Sequence, residues 1–149
     1  MANSPATEKV ITYALLGMTA VTGLIDAVSF LSLGHIFAAN MTGNVVILAF
    51  AVAHAPGVSL ARSLTALVAF CVGATVGGRI LIRARTDALL RSALLIFALE
   101  IAFLAAAMLA GFGHSSVLQD GSALYTIIVC TALAMGMRNA GVRSSELLI

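Results

Sequence analysis

Between Ser92 and Phe112 the chain runs for roughly six helical turns with a single ionisable side chain, Glu100. A stretch so poor in charge cannot face water, and as a helix it reaches across roughly 30 Å of hydrocarbon. Three further stretches, about 10–33, 60–82 and 123–142, meet the same length requirement. Composition agrees: 61% of residues are apolar and 9% charged, against roughly a quarter charged in soluble domains. The expected fold class is all-α, a polytopic transmembrane protein whose residues 1–149 form one membrane domain.

A fifth stretch, about 41–53, is the exception. Its apolar core of about 13 residues falls in the range of buried or re-entrant segments. The sequence therefore predicts four full spans plus a short broken or re-entrant helix, with five full spans as the alternative. A cleaved signal peptide fits the first stretch poorly. The residues before it set one lysine, Lys9, against Glu8, and Asp26 lies inside the apolar run.

Orientation follows from arginine and lysine in short connections. Arg79, Arg83, Arg85 and Arg91 surround one connection with only Asp87 opposing them, and Arg138 and Arg143 mark the end of the last span. Both sides should be cytoplasmic. The connection Gly113 to Ser122 holds Asp120 and no Lys or Arg, so it should face outward. A re-entrant 41–53 then puts the N-terminus inside and makes Gly34 to Ala61, which lacks Lys and Arg, external. A fully spanning 41–53 would put the N-terminus outside.

The +2 net charge says nothing about nucleic acid, because the arginines cluster at span ends where the membrane explains them. Cys71 and Cys130 fall inside predicted spans, which favours reduced packing residues over a disulfide. No Ser/His/Asp or Cys/His constellation, phosphate loop or HExxH motif appears, so no enzyme, metal or cofactor is expected.

Polar residues at membrane depth are costly and mark function unless they serve packing. Asp26 and Glu100 lie well inside spans, and Arg138, the base within the last span, is their natural partner. In Asn40-Met41-Thr42-Gly43-Asn44, Asn40 can cap a helix, Thr42 adds a hydroxyl, Gly43 lets the backbone bend, and Asn44 brings amide donors and an acceptor. A half-helix opening there would aim its N–H groups at a polar solute or anion. The plainer reading is that these amides satisfy an interrupted backbone. His35 is expected in an interfacial loop after a helix end at Gly34, and His54 and His114 carry no assigned role. Gly73-x-x-x-Gly77, followed by Gly78, forms a small-residue face suited to close packing within the chain.

"GLIDA" at Gly23 to Ala27 reappears as "GMRNA" at Gly136 to Ala140, each late in an apolar helix. With the N-terminus inside, these helices run in opposite directions, the inverted-repeat arrangement of many secondary transporters. If the repeat is real, the counterpart of Thr42-Gly43 falls beyond Ile149.

The strings "GLIDAVSFLSLGHIFAANMTGNVV", "GVSLARSLTALVAFCVGATVGGR" and "GMRNAGVR" resemble the YoaK-like bacterial inner-membrane proteins, a family of unknown function, over about Leu15 to Arg143. The resemblance implies a multi-pass protein of the bacterial inner membrane. Family members are longer, with more hydrophobic segments, and continue past this point into a Thr-Thr-x-x-Thr-Gly stretch where this chain reads "SSELLI". The chain is thus expected to be shortened at its C-terminus and to lack the family's second half-repeat.

Together these features predict a small-solute transporter embedded in the lipid bilayer, open to proton coupling. Its substrate site would draw on Asp26, Asn40, Thr42, Gly43, Asn44, Glu100, Arg138 and Asn139. A second copy or another chain is an expected partner. The alternative is a non-transporting scaffold or accessory subunit in which the same residues hold helices together.

Overall fold

A computed structural model describes residues 5–83, 89–112 and 121–146, with side chains at 9–83, 91–112 and 121–141. The expectations placed on Arg85, Asp87, His114, Asp120 and the closing "SSELLI" lie outside the described residues or side chains. Five helices follow one another: α1 (Pro5–Ser32), α2 (Met41–Val52), α3 (Leu60–Arg83), α4 (Leu89–Gly111) and α5 (Gly121–Glu146). No strand occurs among the described residues. Four of the helices are long and apolar enough to cross a membrane. At 12 residues, α2 spans about 18 Å and falls short of it.

Each break between helices has a local cause. α1 ends where Gly34 takes φ +78° and His35 donates its N–H to the Phe30 carbonyl at 3.1 Å, a Schellman closure. α2 ends the same way, with Ala55 N–H on the Phe50 carbonyl at 3.0 Å and His54 in the left-handed position at φ 57°. A non-glycine residue there costs about 1 kcal/mol. At the start of α2, the Asn40 side chain accepts the Gly43 N–H at 3.2 Å, which satisfies one of the orphan donors of a helix start.

The main seam joins α3 to α5, and it is built from small residues. A Cβ on Gly73 would collide with the Leu133 carbonyl oxygen, and one on Gly136 with the Phe70 carbonyl oxygen. A Cβ on Gly77 would sit 3.0 Å from the Met137 Cα. Glycine at these positions lets the two backbones touch, which is how helices associate when burial from water offers no drive. Gly78 faces open space and takes no part in the seam.

Packing partners fix the relative directions. Ala66 near the start of α3 meets Leu124 and Ile128 near the start of α5, whereas Leu81 near its end meets Met137. The two helices are parallel. Along α4, Ile96 packs with Met137, while Gly111 lies near Ile127, so α4 is antiparallel to α5. α1 is antiparallel to α5 as well: Met18 lies beside Arg138, and Leu33 packs with Leu124 and Ile128.

Between α1 and α2 the chain turns back into the bundle without helical structure. Leu33 and Ile36 pack at the level of Leu124, and Ala38 reaches Ala134 and Met135, several turns deeper. α2 then returns to the end it came from, because Gly57, just past it, presents its carbonyl to His35 Nδ1 at 3.0 Å. The chain enters and leaves the bundle at one end.

Candidate functional site

Backbone without helical structure must find its hydrogen bonds elsewhere when water is scarce. Two polar side chains supply them here. Asn44, fully buried, donates its Nδ2 to the Phe37 carbonyl at 2.6 Å and accepts the Phe37 N–H at 2.9 Å. It pairs with Phe37 as a neighbouring strand would. Asp26, on α1, accepts the Ala39 N–H on Oδ1 at 2.7 Å. Asn40 is more exposed; its oxygen takes both the Gly43 N–H and the Thr42 hydroxyl, the latter at 2.6 Å. Gly43 is required by the Phe37 ring, which a Cβ would strike at 2.6 Å. The opening of α2 is thus occupied by the protein's own acceptors, and the carboxylate nearest to it is Asp26.

Below Ala39 lies a half-open cavity of about 450 Å³ between α1, α3 and α5. Asp26, Thr19 and Thr22 line it from α1, Phe70 from α3, and Arg138 and Asn139 from α5. Among the described residues, the Asp26 oxygen not bound to Ala39 receives no hydrogen bond. Gly23 and Asp26 of "GLIDA" and Arg138 and Asn139 of "GMRNA" therefore line one cavity, approached by antiparallel helices.

Arg138 connects the cavity to α4. Its Nη1 lies 3.5 Å from Glu100 Oε1, and its Nη2 donates to the Met18 carbonyl at 3.3 Å. That carbonyl also accepts the Thr22 hydroxyl at 2.8 Å. Glu100 is buried, and its Oε2 has no hydrogen-bond partner. Arg138 pairs with Glu100 and shares the cavity wall with Asp26.

Of the eight residues expected in a site, Asp26, Arg138 and Asn139 line the cavity and Glu100 reaches it through Arg138. Asn40, Thr42, Gly43 and Asn44 form the structure immediately above it, following Ala39 in the chain. Thr19 and Thr22 were not singled out from the sequence. Their spacing from Asp26, seven and four residues, puts all three on one helical face, a signal that was available. Both hydroxyls donate to carbonyls one turn earlier. His35 is an exposed turn residue, edge-on to Phe30 at 5.0 Å between ring centroids. Among the described residues, no group of His, Cys, Asp and Glu is arranged to hold a metal ion.

The family described as "Protein of unknown function (DUF1275)" matches residues 14–147. The UPF0700 transmembrane protein YoaK of Bacillus subtilis (strain 168) is 46% identical over 63 residues. Those residues are 42% of this chain and 27% of the relative, so the chain matches well under two thirds of that protein. No solved structure matches the chain.

Proposed function

This chain belongs to the DUF1275 family, and from that premise we propose that it forms a small-solute transporter, or part of one, in the bacterial inner membrane. The observation that carries this reading is the cavity at bundle depth lined by Asp26 and Asn139, equivalent positions of the two Gly-x-x-Asp/Asn-Ala strings on antiparallel helices. Transporters built from inverted repeats place their substrate sites at such a junction, beside a discontinuous helix. Here α2 is the discontinuous element. Asn40, Thr42, Gly43 and Asn44 shape the roof, Asp26 and Asn139 contact the solute, and Arg138 with Glu100 sets the charge of the wall. α1 touches the rest of the bundle mainly through side chains, with clefts on both sides of it. That looseness suits an element that rocks during alternating access.

A scaffold role has one specific observation in its favour: Asp26 and Asn44 both satisfy broken backbone. Asp26→Asn separates the readings. In proteoliposomes on a solid-supported membrane, a panel of small solutes should give a current with the wild type that is lost in Asp26→Asn, while gel filtration of the variant stays unchanged. A wild type silent to the whole panel, paired with an Asp26→Asn protein that no longer elutes as one species, would favour the scaffold.

A further inference from the structure

We propose that this cavity exchanges one monovalent cation for one proton, the cation resting beside Asp26 and the proton on Glu100. The inference rests on the transport reading and names the class of solute. It starts from charge. Among the described residues, the titratable groups lining the cavity are Asp26 on α1 and Arg138 on α5, and Glu100 on α4 reaches them through Arg138. α3 brings Phe70 and the non-helical segment brings Ala39, neither of which titrates. With both acids ionised the cluster is one negative charge in excess, a condition strongly disfavoured at membrane depth.

One acid must therefore hold a proton or meet a cation, and the geometry distinguishes the two. Asp26 already has a donor on one oxygen, the Ala39 N–H at 2.7 Å. Glu100 has a single contact to Arg138 at 3.5 Å, longer than the roughly 2.8 Å of a tight charge-assisted bond, and its second oxygen is buried without a partner. An ionised carboxylate would draw the guanidinium closer and fill both oxygens. Glu100 here has the surroundings of a neutral acid, which leaves the Arg138 charge to balance Asp26.

The cavity wall also selects the sign of what enters. At the roof the Gly43 N–H goes to the Asn40 side chain and the Ala39 N–H to Asp26, which leaves fewer donors for an anion. Asp26 presents its unbonded oxygen instead. When a monovalent cation settles there, the cluster gains a positive charge. Glu100 then releases its proton to bulk solvent, and Arg138 turns toward the new carboxylate. One positive charge enters and one leaves.

The test uses the full chain purified in detergent, in weak buffer with a pH-reporting dye. Sodium, methylammonium and guanidinium chlorides are the probes, and choline chloride is the bulky control. Saturable release of about one proton per chain is expected with at least one probe and not with choline. Asp26→Asn should abolish it, and Asp26→Glu, which keeps the charge, should retain it. Glu100→Gln should abolish release and raise the probe concentration needed for thermal protection by about tenfold. Glu100→Gln stands as the second variant if Asp26→Asn does not remain monodisperse. Absence of release with all three probes, or release that persists in Glu100→Gln, overturns the exchange. Solute flux without proton release would do so while leaving transport intact. Proton release without flux in liposomes would uphold the exchange and remove the transport reading.

Discussion

Asn44 shows why a polar residue in an apolar chain must be read with its partners. Its amide closes two hydrogen bonds to Phe37 from a fully buried position. Replacing it with leucine leaves a buried N–H and a buried carbonyl unpaired, at about 1–3 kcal/mol each. Asn44→Leu should therefore lower the thermal midpoint in detergent sharply, and Asn44→Asp, which keeps the acceptor and loses the donor, should fall between. An Asn44→Leu protein as stable as wild type would remove this role. The importance of "NMTGN" was legible in the sequence because polar residues cluster there. Its partner was not, since Phe37 lies in a non-helical segment whose path no periodicity announces. Asp26, Glu100 and Arg138 stood out for the opposite reason: a charge inside an apolar helix is conspicuous without any knowledge of what it touches.

At the scale of elements, the α3–α5 seam makes the sharpest prediction. Gly73→Leu and Gly136→Leu force a side chain into opposing backbone, which cannot rotate away as a side chain does. Each should cost at least the 1–3 kcal/mol typical of overpacking, at about the upper end. Gly78→Leu points into open space and should be near neutral, so unequal thermal midpoints for Gly73→Leu and Gly78→Leu check the seam directly. The packing role of Gly73 and Gly77 was readable from their four-residue spacing. That Gly136 completes the seam from the other side was not, because it appeared in the sequence as part of the "GMRNA" repeat. Helix lengths and the shortness of α2 were legible from the apolar runs alone. The meeting of α1 with α5 was foreshadowed by the similarity of "GLIDA" and "GMRNA" and by the lone base Arg138 set against Asp26.

For the whole molecule, the directions of the helices combine with the arginine distribution into a topology that can be checked. The end of α1, the loop after α2 and the start of α3 lie together, as the His35–Gly57 contact requires. The arginine-rich end of α3 lies opposite. If that end is cytoplasmic, Ala55→Cys in a background lacking Cys71 and Cys130 should react with a membrane-impermeant maleimide in intact cells. Lys9→Cys should be protected until the membrane is opened. Labelling of both positions in intact cells would contradict the architecture.

The buried segment after α1 also constrains how such a protein is made. Ala38 rests on Ala134 and Met135, residues synthesised long after it. Before α5 is inserted, α2 can rest on α3, and Leu33 and Ile36 can rest on Ala66, but Ala38 lacks its own supporting surface, and lipid cannot supply the hydrogen bonds of open backbone at depth. α2 can therefore settle as soon as α3 follows it, and the contact of Ala38 with α5 closes last. A polypeptide halted before α5 would hold α1 to α4 with Ala38 short of the Ala134 and Met135 surface it rests on.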